Sequence, residues 1–99
     1  MIPQTLQECF QELDRMLTPM DKALLRRHPD PFTLALEQHH GLGQDIRNEW
    51  GLWDQGSALH AHLRDEHRIE HPDDMSDYIL GQYFRAHLPT VWDRLLQEE

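Results

Sequence analysis

Thr5-Leu6-Gln7-Glu8-Cys9-Phe10-Gln11-Glu12-Leu13-Asp14-Arg15-Met16-Leu17 is the stretch whose reading sets the fold class. Leu6, Cys9, Phe10, Leu13, Met16 and Leu17 fall at i, i+3, i+4, i+7, i+10 and i+11. A period of 3.6 residues stacks these six on one side of a helix and leaves the polar residues on the other. Thr5, three residues before Glu8, supplies a capping box for the amides of the first turn.

Outward from this helix, start and stop signals repeat. Thr18 is a candidate N-cap with Pro19 at the first helical position, where a missing N–H costs nothing, and the spacing predicts a second helix to about Arg27. His28-Pro29-Asp30-Pro31 stops it, because a residue before proline is pushed out of the α region. Asp30 and Pro31 can open a third helix carrying Phe32, Leu34, Ala35 and Leu36, which Gly41 and Gly43 end or bend. Residues 44–50 read as a short helical piece with Ile46 and Trp50 on one side. Gly51-Leu52-Trp53-Asp54-Gln55-Gly56 reads as a turn with aromatic anchors.

Residues 57–66 are helical by propensity, with Leu59 and Leu63 on one face. His71-Pro72-Asp73-Asp74-Met75-Ser76 then opens a helix bearing Met75, Tyr78, Ile79, Tyr83 and Phe84, with Asp73 expected as N-cap and Asp74 as a first-turn acid. Gly81 inside it costs about 1 kcal/mol against alanine, which implies a backbone passing close by. Pro89-Thr90 interrupts the pattern before Val91, Trp92, Leu95 and Leu96. No run alternates with period two. The expectation is an all-α fold, a compact single-domain bundle of about five to six short helices over residues 1–99.

The 99 residues suffice for one core. Eighteen acids against nine bases leave a net charge of -9, a field that repels phosphate backbones and anionic lipid and favours a basic or polar protein partner. Cys9 is the only cysteine, which excludes an intramolecular disulfide and fits a reducing cytoplasm. The opening Met1-Ile2-Pro3-Gln4 has no secretory leader pattern, and no apolar run reaches the roughly 18 residues of a membrane span. A cytoplasmic protein with no membrane and no nucleic-acid partner is expected.

Leu42-Gly43, followed by Ile46-Arg47-Asn48 and Trp50-Gly51-Leu52-Trp53, together with the later His71-Pro72-Asp73-Asp74-Met75-Ser76, resembles a family of small bacterial domains of unknown function. That family shows an LG-x-x-I-R-N-x-W-G-L-W signature and a later H-P-D-D-M-S. The resemblance spans residues 5–88, leaving 89–99 as a C-terminal extension. It implies a small helical fold and brings no catalytic or binding residues with it.

Several groupings carry possible chemistry. His67-Arg68-Ile69-Glu70-His71 matches the H-x-x-E-H of inverted zinc peptidases, but that motif needs a continuous helix and Pro72 opposes one. His39-His40 and His60-Ala61-His62 are poor tetrahedral pairs alone, so no metal site and no cofactor are expected. Gly41-Leu42-Gly43 lacks the third glycine of a phosphate loop. Cys9 lies on the apolar stripe as a small core residue.

His40, Arg47, Asn48, Trp50, Trp53 and His71 form the signature cluster. It reads in two ways. In the first, Trp50 and Trp53 pack as a core corner and Arg47 pairs with Asp73 or Asp74, pinning the two signatures together. In the second, the cluster with Asp73 and Asp74 binds or transforms a small molecule.

Six of the acids, Asp65, Glu66, Glu70, Asp73, Asp74 and Asp77, lie within residues 65–77 against one Arg68. Such a run is either a solvated face or the surface an inhibitor lays into a basic cleft. The foremost expectation is a protein-interaction module, an immunity or antitoxin-like inhibitor that uses these six acids against a cognate toxin or enzyme. The small-molecule reading stands second, and nucleic-acid binding through Lys22, Arg26 and Arg27 last.

Overall fold

A computed structural model describes residues 2–25, 31–37 and 40–87. Arg26, Arg27, the Asp30 cap, His39 and residues 88–99 lie outside the described residues, as do the side chains of Phe32 and Leu34. The described residues form an all-α fold of six helices, α1 (Leu6–Met16), α2 (Pro19–Leu25), α3 (Pro31–Glu37), α4 (Leu42–Glu49), α5 (Ala58–His67) and α6 (Pro72–His87).

The caps explain the starts. At α1 the Glu8 N–H donates to Thr5 Oγ1 at 3.2 Å, and the Glu8 carboxylate accepts the Gln4 N–H at 2.9 Å, one residue outside the usual box. At α2 the box closes on itself, since Asp21 N–H donates to Thr18 Oγ1 at 3.1 Å and Thr18 N–H to Asp21 Oδ2 at 3.0 Å. The Thr18 amide holds the Asp21 carboxyl below its usual range.

Two boundaries differ from expectation. Helix α4 begins at Leu42 and takes Gly43 inside it, because Gly41 rather than Gly43 is the residue that leaves helical geometry. Helix α6 begins at Pro72, so Asp73 is a first-turn residue and not the N-cap. The cap is His71, whose carbonyl accepts the Met75 N–H at 2.9 Å and whose Nδ1 accepts the Asp73 N–H at 3.0 Å. Proline's fixed φ suits the first helical position, which places the cap one residue before it.

Helix α6 is the hub, packed by α1, α3, α4 and α5, with α3 in the most extensive contact. Gly81 of α6 and Ala35 of α3 are both buried. The core is formed by Leu13 of α1, Ile46 and Trp50 around α4, Leu52, Leu59 and Leu63 before and within α5, and Met75, Ile79, Leu80, Tyr83 and Phe84 of α6. Full burial of a side chain such as Phe84 contributes roughly 1.5–3 kcal/mol each.

Cys9 is fully buried in this core, and burial pushes its thiol up to about 12. The Tyr83 hydroxyl donates to Asp14 Oδ1 at 2.6 Å, and Lys22 Nζ lies 3.4 Å from the same oxygen, which ties α6, α1 and α2 together. Among the described residues no helix is long and apolar enough to cross a membrane.

Candidate functional site

The signature segments meet where α4 ends and α6 begins. Helix α4 closes with Trp50 as C-cap and Gly51 at φ 69, and the Leu52 N–H returns to the Arg47 carbonyl at 3.1 Å, the Schellman arrangement. Glycine supplies the positive φ without strain. The chain then turns tightly. Ser57, the N-cap of α5, accepts the His60 N–H at 3.1 Å and donates its hydroxyl to the Gly51 carbonyl at 2.9 Å. Buried His60 donates from Nδ1 to the Leu52 carbonyl at 2.8 Å, so it braces the turn and does not pair with His62.

Against this corner lies the first turn of α6. Arg47 is 4% exposed, its Nη1 donating to Ser76 Oγ at 2.7 Å and its Nε lying 3.5 Å from Asp73 Oδ1. Ser76 is itself fully buried and donates to the Asp73 carbonyl at 3.0 Å. The expected pairing of the two signatures therefore exists, made by Asp73 rather than Asp74 and completed by Ser76. Ser76 sits three and four residues before Ile79 and Leu80, on the apolar stripe of α6, where a hydroxyl signals a buried hydrogen bond.

The other signature residues part company. Trp50 is buried in the core, whereas Trp53 is 55% exposed and does not join it. This corrects the expectation that both tryptophans pack in one corner: the Gly51 turn reverses the chain, so Leu52 fills the core position and Trp53 points outward. Its ring stands edge-on to exposed His71, with centroids 6.1 Å apart at 81°. His40 and Asn48 are exposed. The cluster is thus a pin of buried Arg47 and Ser76 with half-buried Asp73, beside a surface pair of Trp53 and His71.

The H-x-x-E-H stretch is not one helix. Arg68 takes a left-handed conformation at φ 59 and ends α5, while His71 belongs to the cap of α6. The six acids surround this junction: Asp65 and Glu66 on the last turn of α5, Glu70 in the connection, and Asp73, Asp74 and Asp77 on the start of α6. Asp65, Glu66, Glu70 and Asp74 are exposed and the other two half-buried. Arg64, with Nε 2.9 Å from Asp65 Oδ1, holds that carboxyl below its usual range. Glu66 meets His62 Nδ1 at 3.0 Å.

The family model described as "Domain of unknown function (DUF6794)" matches residues 2–87. No curated protein and no solved structure matches the chain.

Proposed function

The chain belongs to this domain-of-unknown-function family, DUF6794, and from that premise we propose that it is a protein-interaction module whose partner surface is the acidic junction of α5 and α6. Within that class the reading is an immunity or antitoxin-like inhibitor of a bacterial toxin or enzyme, acting in the cytoplasm. The observation that carries it is the exposed Trp53 beside His71, at the edge of an acid-rich first turn. Large aromatic side chains on a surface supply the desolvated contact that anchors an interface. Surrounding charge of one sign steers a partner of the other sign and rejects wrong partners. Asp65, Glu66, Glu70, Asp73, Asp74 and Asp77 would play that second part, with Asp73 also held by Arg47.

The test is co-expression with the products of adjacent genes, followed by purification. A basic neighbour should co-purify with the wild type, lose the complex with W53A, and bind more slowly and with weaker salt dependence to an E70K/D74K variant. If no neighbour co-purifies and none is inhibited, the reading fails. If a complex forms that neither variant weakens, the assigned face is wrong.

A further inference from the structure

We propose that His62, Glu66 and His67 form a site for a divalent transition-metal ion of the zinc class, coupled to the amino-terminal turn of α1. In the sequence these residues fall in three separate groupings, His62 in the His60-Ala61-His62 pair, Glu66 in the acidic run and His67 in the H-x-x-E-H match, and none of them joins the three. The fold brings them together. His62 Nδ1 lies 3.0 Å from Glu66 Oε2, and the His67 ring stands edge-on to the His62 ring with centroids 5.1 Å apart. One ligand atom from each of the three lies within 4.8 Å of the others.

Two imidazoles and a carboxylate are a donor set that suits zinc, with a fourth position left for water or another ligand. Bonds of about 2.1 Å in a tetrahedron place ligand atoms roughly 3.4 Å apart. His62 Nδ1 and Glu66 Oε2, at 3.0 Å, already lie within that distance, so closing the set means His67 and this pair approaching by up to about an ångström, with Glu66, 67% exposed in its side chain, able to adjust. The surroundings orient the rings. Tyr78 Oη lies 3.2 Å from His67 Nδ1 and engages that nitrogen, so Nε2 is the atom left to bind an ion.

His62 makes the site unusual. The Leu6 N–H, in the first turn of α1, donates to His62 Nε2 at 3.1 Å. Nε2 must therefore carry the lone pair, and the ring proton sits on Nδ1, directed at Glu66. An ion on Nδ1 displaces that proton, and a neutral ring then carries it on Nε2, where it opposes the Leu6 N–H. The ion and the Leu6 contact exclude each other. Losing one neutral hydrogen bond weakens the site by roughly two- to tenfold, less than three ligand bonds contribute. Occupancy is thereby communicated to the start of α1.

The experiment is a zinc chloride titration of the full chain at pH 7.5, by calorimetry and by 15N NMR of the amides and histidine rings. One equivalent should bind, moving the rings of His62 and His67 and the Leu6 amide together. H67A and E66Q should each weaken binding by about tenfold or more, whereas E49Q, at an exposed acid on α4 outside the set, should leave it unchanged. Glu66 is exposed, so E66Q reports on the site even if a His62 variant disturbs the fold. The proposal is overturned if millimolar zinc gives no binding, or if both H67A and E66Q bind within twofold of wild type. A bound ion that leaves the Leu6 amide unmoved overturns it equally.

Discussion

Replacing Ser76 with alanine should destabilise the fold by about 2 kcal/mol, a large effect for the loss of one oxygen atom. Ser76 is fully buried and accepts the Arg47 Nη1–H at 2.7 Å. Arg47 is only 4% exposed, so water cannot replace the hydroxyl without opening the interface between α4 and α6. A hydrogen bond to a charged group contributes about 1.5–3 kcal/mol when its removal leaves the partner buried. For a domain of this size each kcal/mol lowers the melting temperature by about 4–8 °C, so the S76A variant should melt about 8–16 °C lower.

Arg47→Met removes the charge and the donor together and keeps a stem of similar length in place. Asp73, 43% exposed in its side chain, then rehydrates, and the lost ion pair at 3.5 Å accounts for about 1 kcal/mol or less. The S76A/R47M double variant should therefore be little worse than R47M alone, with a coupling of about 1–2 kcal/mol. Urea unfolding followed by the fluorescence of buried Trp50 and by circular dichroism measures all three. Single effects that simply add, or an S76A variant within about 0.5 kcal/mol of wild type, would refute the pin.

Arg68 holds a left-handed backbone at φ 59 that a glycine adopts freely, so R68G should raise stability by about 0.5–1 kcal/mol; an unchanged or lower melting temperature contradicts this. Cys9, whose thiol burial pushes up to about 12, should react with a thiol reagent at pH 8 only as fast as the chain opens. Its labelling should accelerate in step with urea unfolding, and labelling of the native protein at a free-thiol rate would contradict that burial. The Asp21 carboxyl has its folded pKa depressed by the Thr18 amide, so its contribution is full above the ordinary value of about 4 and is lost as pH falls through the folded value. The stability gap between wild type and D21N should accordingly hold from pH 8 to about 5 and shrink in stronger acid, which thermal melts across pH will show.

Much of the fold was legible because its signals are short. The stripe from Leu6 to Leu17, the Thr5 and Thr18 caps and the breaks at Pro19 and Gly51 each act within a turn or two of helix. The misplacements were equally local in origin. Gly43 reads as a breaker by propensity, yet a helix packed against α6 tolerates it, and Asp73 reads as a cap until Pro72 claims the first helical position. At the candidate site, a link between the two signatures followed, as one of two readings, from the charges of Arg47, Asp73 and Asp74. Which tryptophan would face water did not, because Trp50 and Trp53 have the same composition and differ only in which side of the Gly51 turn they occupy.

The sequence by itself determined the helical class, the caps and the acidic run, because each depends on residue type and on neighbours a few positions away. Tertiary structure alone decided what joins across the chain. Ser76 meets Arg47 over 29 residues, Leu6 meets His62 over 56, and Tyr83 meets Asp14 over 69. Such contacts follow from how α6 gathers the other helices into one core. No local propensity encodes that packing, and it leaves Arg47 buried, Trp53 exposed and two histidines facing one carboxylate.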